Sequence, residues 1–281
     1  MLFWAGNAVI ARGLHEALPP VTMAFWRWTC ASVLLLPFVA GPMYRQRSLL
    51  RAHWPRLLLL GALGIASYNT LLYVALQTTT ATNGVLINSV TPLLIAFAGW
   101  IFFGVRLSRR QQAGIVLSLL GMAVIVSRGD WNVLTHLDFN RGDFVLIACA
   151  CTWALYTVFL RWRPAGIEPS VFLGATVMIG ALLLFPVYLV EAHLARAPVW
   201  SISSWLGMAY FAVFPSVLAY LFWNRGVQQV GANKAGLFLY LIPVFGIGLA
   251  VVFLGERLHI YHLAGAALIF TGVYVATAPR E

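Results

Sequence analysis

The chain repeats itself. Residues 4–37 are echoed by residues 153–186 at an offset of 149, and residues 73–121 by residues 224–272 at an offset of 151. Trp4, Ala5, Val9, Arg12, Pro20 and Pro37 fall on Trp153, Ala154, Val158, Arg161, Pro169 and Pro186. Ala81, Pro92, Gly104, Gly114 and Gly121 fall on Ala232, Pro243, Gly255, Gly265 and Gly272. Two copies of one unit must each bury the same faces, so the fold is a pair of related halves, and a functional cavity is expected where they meet.

Almost all of both copies is apolar. Hydrophobic residues make up 61% of the chain and charged residues 9%, against roughly 45–50% and about 25% in soluble domains, so the surplus apolar surface must face lipid. A secretory signal peptide does not account for it, because apolar segments recur almost to the last residue. The net charge of +10 is spread over short loops rather than gathered on one face. That distribution argues against a nucleic-acid surface and fits the retention of Lys and Arg in cytoplasmic loops. Cys30, Cys149 and Cys151 sit inside apolar runs without metal-ligand spacing, so no metal is expected.

A helix of about 20 residues crosses the hydrocarbon core. Apolar segments of that kind occupy roughly 21–40, 56–77, 82–103, 111–127, 142–160, 169–190, 204–224, 233–254 and 260–277. A tenth begins at Met1 but stops at Arg12. Its echo has about ten apolar residues before Trp153 whereas three residues precede Trp4, so part of the natural N-terminus is expected to lie beyond this sequence. The expected fold is all-α and integral to the membrane: ten transmembrane helices as two inverted five-helix repeats, residues 1–128 and 142–281. An external linker, residues 129–141, joins them and holds Gly129, Asp130, Trp131 and Asp138. An odd number of helices per half forces the second copy in upside down. With both termini cytoplasmic, Arg45, Arg47, Arg51, Arg56, Arg106, Arg109 and Arg110 lie inside, while the corresponding loops 191–203 and 255–259 are nearly charge-balanced. The bias flips between copies, as inversion requires.

No phosphate-binding Gly-rich loop with a Lys, His-Glu-x-x-His or Gly-x-Ser-x-Gly motif is present, so neither catalytic residues nor a cofactor are expected. The chemistry left to the chain is binding. Trp153 lies about eleven residues into its segment, some 16 Å deep, too deep for an interfacial anchor. It either packs helices or lines a path, and Tyr156 shares its face. Trp4 with Asn7, Tyr68 with Tyr73, Asn88 and Tyr240 are the other polar-tipped or aromatic candidates for substrate binding, and the segment 204–224 offers Tyr220 and Asn224 near its cytoplasmic end. Pro92 and Pro243 each remove a backbone donor in mid-segment beside polar residues, which marks them as hinges bordering a wet cavity. Arg27 lies near the outer end of its segment and is read as snorkelling to the interface. All eight acidic residues fall in loops or at segment ends, which leaves no evident proton carrier and points to a facilitator.

Two five-helix halves in under 300 residues, with Leu-Phe-Trp-Ala-Gly-Asn-Ala-Val-Ile-Ala-Arg from Leu2 and Phe-Leu-Gly-Glu-Arg-Leu from Phe253, echoed by Phe-Phe-Gly-Val-Arg-Leu from Phe102, resemble the EamA-type carriers of the drug/metabolite transporter superfamily. Val105 stands where the second copy has Glu256, so any role of that carboxylate is not duplicated. Within the superfamily the chain is most similar to the YddG-type exporters of aromatic amino acids. The resemblance implies a monomeric carrier in a bacterial inner membrane that exports small amphipaths, amino acids among them. A broad drug exporter and a non-transporting receptor or assembly subunit are the alternatives. Phosphorylated substrates need several cations deep in the membrane, and only Arg27 and Lys234 are candidates.

Overall fold

The computed structural model describes residues 1–128, 130, 132–135, 138, 140–255 and 257–278. Gly129, Trp131 and Glu256, named above, lie outside the described residues. Among the described residues all regular structure is helical. The principal helices are α1 (Leu2–Leu14), α2 (Pro20–Arg45), α3 (Trp54–Ala75), α4 (Ala81–Ser89), α5 (Thr91–Phe103), α6 (Arg109–Ser127), α7 (Arg141–Phe159), α8 (Pro169–Leu194), α9 (Ile202–Val230), α10 (Ala232–Leu237), α11 (Leu241–Leu254) and α12 (Ile260–Thr277). Nine helical spans there are long and apolar enough to cross a membrane, within a few residues of most of the segments read from sequence. The second-half equivalents of α1 to α6 are α7 to α12.

Local chemistry sets the ends. Pro20 and Pro169 open α2 and α8 at first-turn positions where a missing N–H costs nothing. Gly104 and Gly255 close α5 and α11 in the left-handed conformation, with φ of 65° and 67°. Ser108 and Asn140 open α6 and α7 with reciprocal caps in which Gln111 and Asp143 reach back to the cap's N–H.

The halves are antiparallel, and close contacts between equivalent helices show it. On α6, Gly114 packs against the Gly272 carbonyl of α12, and Gly121 against the Gly265 carbonyl. Residue numbers rise on one helix as they fall on the other. The pair α2 and α8 runs the same way: Phe25 stacks on Tyr188 at 4.5 Å, whereas Val39 lies against Gly174. Each of these helices has its N-terminus held by the other's far end. Glu191 accepts hydrogen bonds from Val21 N at 2.9 Å and Thr22 Oγ1 at 2.8 Å, while Gln46 accepts from Glu168 N at 3.2 Å. A carboxylate at a helix N-terminus also meets the positive end of the dipole.

Both copies carry a π-helical stretch at equivalent positions, Gly61–Ser67 in α3 and Ala212–Leu218 in α9. These widened turns lie where α3 crosses α8 and α9 crosses α2. A Cβ at Gly61 would stand 2.9 Å from the Thr176 carbonyl oxygen, so the crossing requires glycine there.

The small-residue contact between α6 and α12 should be intolerant of volume. A Cβ at Gly121 would lie 2.6 Å from the Gly265 carbonyl oxygen, whereas one at Gly13 would meet nothing within 4 Å. Gly121→Val is expected to cost about 2 kcal/mol or more, whereas Gly13→Ala, an exposed helical position with room for a methyl, should cost nothing and stabilise by up to about 1 kcal/mol, as read by thermal unfolding of purified protein in detergent.

Candidate functional site

Residues on the axis relating two halves must touch their own equivalents, and this places the centre of the molecule. Trp4 meets its equivalent Trp153 with ring centroids 5.2 Å apart. Asn69 donates to its equivalent Tyr220 at 3.2 Å. Around this point Trp153 also contacts Tyr68 at 4.6 Å, Tyr156 at 5.3 Å, Trp223 at 5.4 Å and Tyr220 at 5.5 Å. Edge and tilted contacts of this kind pack densely without stacking all rings in one direction. Flanking hydrogen bonds obey the same symmetry with donor and acceptor exchanged. Tyr73 donates to Asn7 at 3.2 Å, and Tyr156, the equivalent of Asn7, donates to Asn224, the equivalent of Tyr73, at 2.8 Å.

The aromatic plug separates two cavities related by that axis. One, about 480 Å³, has Arg12, Thr80, Arg128 and His262 at its mouth and runs inward past Ala8, Val9 and Leu72 to Tyr68, Trp153 and Tyr240. The other, about 640 Å³, opens at the opposite ends of the helices and is lined by Arg106, Arg161, Arg163, Lys234, Thr157, Val158, Val227 and Gly231. Thr157, Val158 and Arg161 are the equivalents of Ala8, Val9 and Arg12, and Val227 and Gly231 those of Leu76 and Thr80. The second cavity stops short, however. Leu72 lines the first, but its equivalent Trp223 is buried in the plug. One mouth is deep and its symmetry mate shallow, although the shallow one encloses the larger volume.

Broken helices frame the deep cavity. Pro92 has no N–H, α4 ends at Ser89, and α5 restarts at Thr91. In the second copy a tight 3₁₀ turn, Phe238–Tyr240, precedes α11 and Pro243. Asn88, Ser89 and Thr91 from one break and Leu239, Tyr240 and Pro243 from the other line the cavity. Pro92 is buried outside that lining. Each proline therefore stands just after a discontinuity rather than at a bend in a continuous helix.

Of the residues singled out in the sequence, Tyr68, Asn88, Trp153 and Tyr240 line the deep cavity, Asn88 being exposed. Trp4 and Tyr156 belong to the plug, and Asn7 and Tyr73 lie on the far side of α1 and α3 from the cavity. Trp223 escaped notice, although the repeat places it at the echo of Leu72 and three residues from Tyr220.

Arg27 does not snorkel. It is completely buried, donating to Asn7 Oδ1, Tyr73 Oη and Ser216 Oγ, each at 2.7 Å, with its guanidinium 5.0 Å from the Trp28 ring. Those partners are neutral, and Nη2 has none. Asp143 is likewise buried, although it sits at a helix end. Its carboxylate accepts from Thr79 Oγ1 at 2.5 Å, and from Asn83 Nδ2 and Asn140 N at 2.8 Å. These bonds tie the start of α7 to the α3–α4 connection beside the cavity mouth.

A multi-pass helical bundle of two antiparallel, sequence-related halves enclosing a symmetry-related pair of cavities is the architecture of a membrane carrier. The chain belongs to the EamA-like transporter family, which matches residues 1–127 and again residues 140–278. It is 30% identical to the uncharacterised transporter YyaM of Bacillus subtilis over 92% of this chain and 84% of that protein. A probable terminal-alkyne amino-acid exporter of Streptantibioticus cattleyicolor is 29% identical over 88% of this chain and 80% of its own. A protein of known crystal structure shares the fold with a TM-score of 0.79 at 25% identity, covering 98% of this chain and 93% of the other.

The Arg27 cluster joins α1, α2, α3 and α9, so its loss should be felt in stability. Arg27→Ala leaves three buried polar groups short of a partner and is expected to cost about 3 kcal/mol or more. Arg27→Lys should recover only part of this, because one ammonium cannot span the same acceptors. Thermal unfolding in detergent reads both.

Proposed function

We propose that this chain exports small amphipathic metabolites, amino acids including aromatic ones among them, across a bacterial inner membrane by alternating access. The deep cavity and its shallow symmetry mate carry the reading. Two mouths built from equivalent residues but differing in depth are what one state of an exchanging pair looks like, and swapping the two halves' conformations would deepen the other mouth. The positive-inside bias puts both termini and the shallow mouth in the cytoplasm, so the deep cavity faces outward. A Ser48→Cys variant labelled by an impermeant reagent from outside would reverse that assignment. The cavity is of a size for a single small solute, and its wall combines aromatic rings with hydroxyl and amide groups. The Streptantibioticus relative, a probable terminal-alkyne amino-acid exporter, supports the substrate class. Both halves that frame the cavity come from one chain, which suits a monomer. Pro92 and Pro243 act as hinges in this scheme because the backbone is already interrupted beside them.

Transport is proposed to be downhill. Asp143 is the buried carboxylate among the described residues, and its acceptor positions are taken up by Thr79, Asn83 and Asn140 outside the cavity lining.

Reconstituted protein tests both parts. Leu72→Trp copies the residue that closes the shallow mouth and should cut amino-acid flux at least tenfold with the melting temperature preserved. Unchanged flux would remove the deep cavity from the path. One-proton coupling would concentrate a neutral substrate about tenfold per pH unit, equivalent to about 1.4 kcal/mol. An imposed pH gradient is expected to give no sustained accumulation, and accumulation near that value would end the facilitator assignment.

A further inference from the structure

The walls of the transport path are one-sided in charge. Among the described residues, neither cavity lining contains an Asp or a Glu, yet Arg12 and Arg128 stand at the deep mouth and Arg106, Arg161, Arg163 and Lys234 line the shallow one. Arg27, buried on neutral partners, lies directly behind the deep cavity. It binds Asn7 on α1 and Tyr73 on α3, the helices whose other faces supply Ala8, Val9 and Tyr68 to the lining.

The inner end of the deep cavity has the matching hydrogen-bond chemistry. Trp153, Tyr240 and Thr91 line it and are 2%, 1% and 4% exposed. Their polar atoms Nε1, Oη and Oγ1 find no partner in the protein. An indole N–H can only donate, and the two hydroxyls are free to donate as well. A buried donor left unmet is costly, so the site is built for a ligand that brings acceptors. The helix break at Val90 does not settle the sign by itself, since it presents the C-terminal end of α4 along with the N-terminal end of α5.

We propose that the deep cavity selects carboxylates and disfavours a free ammonium, so that an amino acid whose amino group is acylated is a better ligand than the parent zwitterion, and an amine lacking the carboxylate is the poorest. The inference rests on the transporter reading for its purpose but not for its chemistry. The carboxylate accepts from Trp153, Tyr240 and Thr91 in the positive field of the arginines. An ammonium finds no carboxylate to replace its lost water. The opposing attraction is a cation seated on the face of Trp153 or Tyr68, and it must overcome the same arginines.

Three ligands sharing one phenyl body test this. N-acetyl-L-phenylalanine, L-phenylalanine and 2-phenylethylamine are titrated calorimetrically into purified protein, and the flux of each is followed in proteoliposomes. N-acetyl-L-phenylalanine is expected to bind at least tenfold more tightly than L-phenylalanine, with 2-phenylethylamine weakest. Tyr240→Phe and Thr91→Val, which keep the shape of the wall, should each weaken N-acetyl-L-phenylalanine several-fold and leave the amine unchanged. Equal or tighter binding of the amine, no binding of any of the three to folded protein, or an anion preference untouched in the double variant would overturn the proposal. Flux of L-phenylalanine without anion preference would refute the selectivity and leave the carrier reading intact. Anion-selective binding without flux of any ligand would do the reverse.

Discussion

A backbone amide in hydrocarbon has no water to bond with, so every interruption of a membrane helix must be satisfied by protein or lie beside a polar cavity. This chain interrupts its helices at equivalent places. The breaks before Pro92 and Pro243 line the deep cavity, and the π-helical stretches Gly61–Ser67 and Ala212–Leu218 lie against neighbouring helices near the axis. Tyr220 shows how one such stretch is satisfied: its hydroxyl donates to the Gly64 carbonyl at 2.6 Å. Irregular backbone therefore gathers at the deep cavity and near the axis, and the uninterrupted helices α2, α6, α8 and α12 form the frame around it.

The frame was legible in sequence because lipid imposes a simple rule. Apolar runs of sufficient length had to be spans, and the repeated Gly114 and Gly121 turn out to be where α6 meets the Gly272 and Gly265 carbonyls of α12. The inversion was legible from charge, since an odd helix count and a reversed bias admit one arrangement. Part of the cavity was legible too, through Tyr68, Asn88, Trp153 and Tyr240, because polar-tipped side chains deep in an apolar segment need a reason to be there.

What escaped was what depends on contacts between distant segments. Arg27 looked like a snorkelling side chain because it stands seven residues beyond Pro20, near an end of its helix. Its burial depends on Asn7, Tyr73 and Ser216, which only the fold brings to it. Asp143 looked peripheral for the same reason, and its partners Thr79 and Asn83 come from the other half of the chain. Sequence position along one helix gives depth but not neighbours, and a buried charge is decided by neighbours.

The two halves are alike in sequence and unlike in packing. In one place α7 packs against both α4 and α5, but its equivalent α1 packs principally on α11. Where α7 meets α4, the corresponding space between α1 and the 238–240 turn is the deep cavity, with Ala5 and Ala8 on one side and Leu239 and Tyr240 on the other. The same structural unit therefore holds two arrangements at once, one closed and one open. Because the halves are related by an axis through the Trp4–Trp153 contact, exchanging those arrangements would leave the plug's centre in place and move the opening from one end to the other. A carrier working this way needs the two states to be close in energy, and equivalent residues at both mouths, Arg12 with Arg161 and Thr80 with Gly231, would bring them together to first order. The departures from equivalence set the remaining difference. Trp223 opposite Leu72 and Arg27 opposite Thr176 are two of them, and Trp223, buried in the plug, fills the space that Leu72 leaves open at the deep mouth.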